Sequence, residues 1–366
     1  MKNFLSRHLY VLLWCILLSP RSQSQDSSLS ATHKPFLKAG LFESDEVLSI
    51  TLKGNLHDLL KNRDGDPKYY PLTLLLTEKD NNEVSIPVKV KTRGHFRRMK
   101  GNCEYPPLLI SFSKEDRRSS ALFGKSVKLK LVMPCQSDEY VVREWLVYKL
   151  YNLVTPESFR ARLVRVTLQD EKNKKDSPPF FGILLEEEQQ MARRNNAVPV
   201  TRKLGPEQTM PDAFLNMAVF QYLIGNTDWS VQYLQNVKLI AEDSLAIAVP
   251  VPYDFDHAGI VNCPYAQPAE ALQMNSVRQR RYRGYCINDM KIFDSVIVHY
   301  NNLKNDIYSL YTSCPLLNEK YIKATLKYLD EFYATINNQK ALKKEWTYPC
   351  DKNGTGNVVI KGLSKD

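Results

Sequence analysis

Val127-Lys128-Leu129-Lys130-Leu131-Val132 alternates apolar and charged side chains, and a few residues later the alternation stops. A period of two places Val127, Leu129 and Leu131 on one face of a strand and Lys128 and Lys130 on the other. From Tyr140 to Leu153, Val141, Trp145, Tyr148 and Leu150 recur with charges between them, the pattern of an amphipathic helix. This switch of period divides the chain. Upstream, residues 47–52, 72–77, 84–92 and 108–112 read as strands, residues 57–61 as a short helix, and Asp80-Asn81-Asn82 as a hairpin turn. Downstream, 161–168 and 180–185 return to strand around a polar loop at 170–179. Beyond Gln189 the chain reads as helices over 189–195, 211–225, 289–312 and 318–338, with strands only at 235–240 and 246–251. Strands followed by helices predict an α+β fold of two lobes. The first, over 45–188, is β-rich with one inserted helix, and the second, over 189–366, is helical.

Residues 1–24 have the form of a secretory signal peptide. Lys2 and Arg7 precede an apolar run at 9–18, and Ser22-Gln23-Ser24 supplies small residues for cleavage. Residues 25–44 are a polar, flexible lead-in. The apolar run is too short to span a bilayer, and no later segment approaches one. The chain is therefore expected to be exported, to the periplasm, the cell surface or the medium, without a transmembrane span. Six cysteines follow Cys15, and pairing near neighbours predicts Cys103–Cys135, Cys263–Cys286 and Cys314–Cys350. No CxxC spacing suggests a zinc ribbon. The 366 residues are 43% hydrophobic and 25% charged, which excludes collagen-like and largely disordered chains. The net charge of +10 suits an acidic or phosphorylated partner. No RNA- or DNA-binding motif occurs, so no nucleic-acid partner is expected.

Three segments carry residues for phosphoryl transfer, which needs a carboxylate near the attacking hydroxyl and hard oxygen ligands for Mg²⁺. In Gly225-Asn226-Thr227-Asp228-Trp229-Ser230, Asp228 stands where a helix gives way to a loop and is expected to face solvent. Asn236 begins a strand shortly after it. In Ala248-Val249-Pro250-Val251-Pro252-Tyr253-Asp254-Phe255-Asp256-His257, an apolar strand ends in two carboxylates. Antiparallel pairing of the two strands brings Asn236 and Asp254 together. The Lys128–Lys130 strand followed by Glu144 on the next helix fits a lysine that grips phosphates and a glutamate that orients it. Which of the two lysines points inward is open from pattern alone. Downstream, Arg278, Arg280, Arg281 and Arg283 fall within six residues and suit an anionic substrate. His95 and His257 read as contacts rather than acid–base groups. Nucleophile elbow, Walker loop and HExxH motifs are absent from the sequence.

Several of these pieces, in order, resemble the spore coat protein H (CotH-like) family of atypical secreted kinases, from about Ile86 to Tyr285. They are Val88-Lys89-Val90-Lys91-Thr92-Arg93-Gly94, Cys103-Glu104-Tyr105-Pro106-Pro107-Leu108, Leu122-Phe123-Gly124, Arg143-Glu144-Trp145-Leu146-Val147-Tyr148-Lys149-Leu150 and Phe181-Gly182-Ile183-Leu184-Leu185-Glu186-Glu187. The resemblance implies a protein-kinase-like bilobal fold and an ATP- and Mg²⁺- (or Mn²⁺-) dependent kinase acting on protein Ser/Thr. It implies Asp228 as the catalytic Asp, with Asn236, Asp254 and Asp256 as metal ligands. Lys130, partnered by Glu144, would bind phosphate, and Arg93 and Gly94 would open the loop over ATP. The sequence departs from the family in Asn226-Thr227-Asp228-Trp229, where many members have His-x-Asp-Gly. It also departs in Ile183, which replaces a Tyr, and in the bulky loop Arg93-Gly94-His95-Phe96-Arg97-Arg98. The expected substrate is an acidic or Ser-rich protein. The alternatives are an inactive binding or assembly protein, or transfer of another group, such as AMP or glutamate, from the same site.

Overall fold

Leu48–Gly54 (β1) hydrogen-bonds along both of its edges, and this decides the architecture. It pairs antiparallel with Tyr70–Thr77 (β2) and parallel with Ala161–Asp170 (β6), in a register running from Leu48↔Val164 to Gly54↔Asp170. Between them lie Glu83–Thr92 (β3), Leu108–Phe112 (β4), Lys128–Val132 (β5) and Phe180–Leu185 (β8), in the order β1-β2-β3-β4-β5-β8-β6. The sheet thus closes on itself as a seven-strand mixed β-barrel, and the short Lys175–Asp176 (β7) extends it from β6. The computed structural model describes residues 40–347 apart from 78–82, 117–119, 121, 125, 269–271 and 288. The signal segment, most of the polar lead-in and the turn at 80–82 lie outside the described residues.

The closed barrel corrects the expected bilobal kinase-like fold with a β-sheet lobe. Period-two alternation is the same whether a sheet is open or closed. Closure depends on β1 meeting β6, a pairing between distant segments that leaves no local signal. Its physical basis is the inward face: Ile50, Leu52, Ile86, Ile110, Leu131 and Val166 are all fully buried and pack on one another inside the barrel. Closure also removes the unpaired edges of an open sheet. Leu56–Lys61 (α1), capped by Asn55, lies under β3 and β6.

Part of the outward face of β5, β6 and β8 is covered. Val132, Leu163, Ile183 and Leu185 join a second core with Asp138–Val154 (α2), where Val142, Leu146 and Leu150 are buried. That core continues into Glu188–Arg194 (α3), Pro211–Ile224 (α4), Asp294–Asn302 (α5), Lys304–Thr312 (α6), Glu319–Ile336 (α7) and Gln339–Trp346 (α8). The single helix expected over 289–312 is a 3₁₀ turn followed by two helices that meet at Leu303. Val198–Val200 (β9), Val237–Ala241 (β10) and Val249–Pro252 (β11) form a small antiparallel sheet in the order β11-β10-β9. No helix among the described residues is long and apolar enough to cross a membrane.

Cys103 and Cys135 form the expected disulfide. The other two expected pairs do not form, because Cys263 and Cys314 carry free thiols buried in the helical core. Cys286 is disulfide-bonded to a partner outside the described residues. Nearness in sequence is a poor guide for cysteines that serve as small core hydrophobes.

Candidate active site

The β10–β11 register pairs Val237 with Pro252, which sets Asn236 beside Tyr253, whose amide donates to the Asn236 carbonyl at 2.9 Å. Asn236 and Asp254 both have left-handed backbone, at φ 49° and 63°. Asn and Asp are among the few non-glycine residues that tolerate it. The turn after β11 is pinned from α2, where the Tyr148 hydroxyl accepts from the Asp254 amide at 2.9 Å. The side chain of Asp254 accepts no hydrogen bond and joins no ion pair among the described residues. Burial and the neighbouring Asp256 hold its carboxyl above the usual range.

Asp256 is engaged differently. The loop after β3 makes a 3₁₀ turn at Phe96–Arg98 and inserts Arg97, only 7% exposed, between Asp256 and Glu144 of α2. The Arg97 guanidinium lies 2.7 Å from Asp256 Oδ2 and 3.1 Å from Glu144 Oε2. Tyr265 also donates to Asp256, at 3.0 Å. Burial pushes the Asp256 carboxyl up, but Arg97, with help from His257, outweighs it and leaves it lowered. For Glu144 burial wins over Arg97, and its carboxyl is raised to about 7. His257 stacks edge-on to Phe96 and Tyr265, at 5.9 and 5.7 Å between ring centres, and closes this buried cluster. Asp256 is thus committed to Arg97 and Tyr265, while Asp254 remains open to a ligand.

Asp254→Asn is expected to raise the melting temperature of the ligand-free chain. The neutral isostere ends the repulsion with Asp256 and keeps a side chain that suits positive φ. The folded carboxyl is raised, so the wild type matches the variant below the unfolded value of about 4 and falls behind it as pH rises through the folded pKa. Paired melting curves between pH 4 and 8 read this; an equal gap at every pH would contradict it.

Asp228 follows α4. Gly225 ends that helix in left-handed backbone at φ 67°, and a Cβ there would sit 2.1 Å from the Tyr328 hydroxyl, so only glycine fits. The expectation that Asp228 faces solvent fails, for the whole segment 225–230 is buried and Asp228 is 9% exposed. Asn236 Nδ2 donates to Asp228 Oδ2 at 3.0 Å, and Gln235 Nε2 donates to Oδ1. The Asp228 carboxylate and the start of β10 are therefore joined directly, and Asn236 links Asp228 to the Asp254 turn.

Of the two lysines on β5, Lys128 is exposed and Lys130 reaches the site. The Lys130 ammonium lies over the Tyr253 ring at 4.5 Å and near Phe159 at 6.0 Å. Burial, and then Arg93, lower its pKa to about 7, while Asp254 pulls the other way. The expected Lys130–Glu144 pair is absent, because Glu144 faces Arg97 instead. Arg93 follows β3 in the same electrostatic field, and Gly94, at φ 84°, turns the chain toward Arg97.

Three of the four downstream arginines hold backbone. Arg278 donates to the Gly259 carbonyl at 2.9 Å, and Arg280 to the Leu223 and Tyr328 carbonyls at 3.2 and 2.5 Å. Arg283 grips the Thr227 and Trp229 carbonyls on either side of Asp228. Arg281 is exposed. The run clasps the Asp228 segment to the end of α4, a role that composition could not separate from substrate docking. Sequence reasoning missed Arg97, Tyr148, Gln235 and Tyr253. The signal was slight: a loop too basic for a glycine-rich flap contained the Arg97 that binds two acids.

Among the described residues no three His, Cys, Asp or Glu side chains are grouped to hold a metal. The hard donors at hand are Asp254 and the Asn236 amide oxygen. No protein-family model matches the chain, and no curated protein matches it.

Proposed function

We propose that the chain is an exported phosphotransferase that moves the γ-phosphate of ATP to Ser or Thr hydroxyls of a protein, as its resemblance to the CotH-like kinases implies. Support comes from the site, since the barrel does not share the kinase architecture. The observation that carries it is Asp254, a carboxylate without a hydrogen-bond or ion-pair partner among the described residues, at the end of β11 beside Asn236 and in the field of Lys130 and Arg93. Mg²⁺ takes one or two protein carboxylates and completes its shell with phosphate oxygens and water, which this donor set fits. Asn236 and Asp254 would hold that cation, which when bound offsets the phosphate charge.

Lys130 and Arg93 provide cations for the phosphate oxygens. Asp228 orients the acceptor hydroxyl and takes its proton. The hydroxyl oxygen bonds to the γ-phosphorus as the bond from that phosphorus to the β,γ-bridging oxygen breaks, leaving ADP and a phosphoester. Gln235 and Asn236 fix both oxygens of Asp228 during this step. The Cys103–Cys135 bond fits an exported protein, since such bonds persist in oxidising compartments.

Calorimetric titration with ATP and Mg²⁺ tests the nucleotide site. Lys130 is largely neutral at pH 8 with its pKa near 7, and phosphate beside it favours the ammonium. Binding is expected to take up a proton at pH 8 and much less at pH 6, read from the dependence of the enthalpy on buffer ionisation. Lys130→Met abolishes the uptake, and Asp254→Asn weakens binding. No cation-dependent binding by the intact chain would remove the nucleotide site.

A further inference from the structure

The outward face of β3, β4 and β5 carries a charge pattern of which the proposed reaction uses only the end at Arg93 and Lys130. Val88, Val90, Leu108, Ile110, Leu129 and Leu131 fill the barrel, so their neighbours point out. On β3 these are Lys89 and Lys91, with Arg93 just past its end, and on β5 Lys128 and Lys130. The register aligns Lys89 with Ser111 and Ser111 with Lys128, and likewise Lys91 with Leu109 and Leu109 with Lys130. The cations therefore form two cross-strand rows, about 6.6 Å apart along the strands and about 10 Å from β3 to β5. The outward positions of β4 and β5 carry no acid, and the outward acid on β3, Glu83, is at its far end. Lys89 and Lys128 are exposed and make no ion pair among the described residues, and Lys91 rests on Tyr69 at 5.0 Å. Elsewhere Lys53, Lys100, Lys149 and Lys172 each face a carboxylate. The patch runs without a break into Arg93 and Lys130 at the site.

We propose that Lys89, Lys91 and Lys128 are a docking track for an acidic segment of the protein substrate, leading it toward the phosphate site; this rests on the phosphotransferase reading for its biological role. Acidic side chains at alternate positions of an extended peptide repeat at about the spacing of Lys89 and Lys91. Lysines without guanidinium forks suit single carboxylates rather than bidentate phosphate contacts. A single-stranded nucleic acid is less well served, because such sites combine basic grooves with aromatic rings for base stacking. Here Leu109 and Ser111 lie between the lysines, and Tyr69, though exposed, has the Lys91 ammonium over one face of its ring.

The test compares wild type with Lys89→Ala/Lys91→Ala, using a fluorescent Asp/Glu-flanked Ser peptide, a Gln/Asn-flanked twin and a single-stranded oligonucleotide of equal charge. Anisotropy gives binding without catalysis, and labelled phosphate gives KM and kcat. The double variant is expected to weaken acidic-peptide binding and raise its KM about tenfold, with salt doing the same to the wild type. The neutral peptide, kcat and ATP binding stay unchanged. Equal binding of both peptides to the wild type, no change in the double variant, or tighter binding of the oligonucleotide overturns the track. Lysine-dependent acidic-peptide binding without phosphate transfer keeps the track and rejects the enzyme instead.

Discussion

Asp228→Ala is expected to cut phosphate transfer by about 10²–10⁴-fold, the usual worth of a positioned general base. Cation-dependent ATP binding should persist, because Asp254, Lys130 and Arg93 are untouched. Stability should also fall, by about 1–3 kcal/mol, because the Gln235 and Asn236 amides lose the carboxylate that both bond. The two effects separate in one preparation: calorimetry for nucleotide, initial rates for transfer, urea curves for stability. Undiminished transfer would remove Asp228 from the chemistry and leave it as the fixture that joins the 225–230 segment to β10.

Arg97→Met should be the most destabilising single change at the site, by about 3–5 kcal/mol. It leaves Asp256 and Glu144 buried with no cation between them, where Arg97 now sits 2.7 and 3.1 Å away. Adding Glu144→Gln and Asp256→Asn removes the stranded charges and should recover much of the loss. The Asp256 carboxyl, held low by Arg97, favours folding at neutral pH and loses that contribution as pH falls through its folded value. Urea curves for the single and triple variants decide the matter. A loss under 1 kcal/mol for Arg97→Met would show that the cluster is solvated and not a buried bridge.

Local elements were legible because each rests on a local cause. The alternation at 127–132 became β5, and the 3.6-residue recurrence after Tyr140 became α2. The Asn236–Asp254 neighbourhood followed from the hairpin alone, since the antiparallel register dictates which strand ends meet. What was not legible depends on contacts between distant segments. The β1–β6 pairing that closes the barrel, and the reach of Arg97 across to Asp256, have no signature in the spacing of nearby residues. Glu144 illustrates the same limit. A strand lysine followed by a helix glutamate gives the residue types of an ion pair, yet Arg97 enters from a third element and takes the carboxylate. The four arginines after Asn275 illustrate it again: their charge was plain, but only the fold shows that Arg278, Arg280 and Arg283 spend it on backbone carbonyls.

Following label from ATP decides whether this site transfers phosphate. The purified chain with Mg²⁺ is incubated with an acidic, Ser-rich protein and either γ-³²P- or α-³²P-ATP, and labelled residues are identified after acid hydrolysis. Phosphoserine or phosphothreonine is expected from the γ-label, none from the α-label, and the signal should be lost in Asp228→Ala. Label from the α-position would mean nucleotidyl transfer, and no label from either position in a chain that binds ATP would contradict a phosphotransferase.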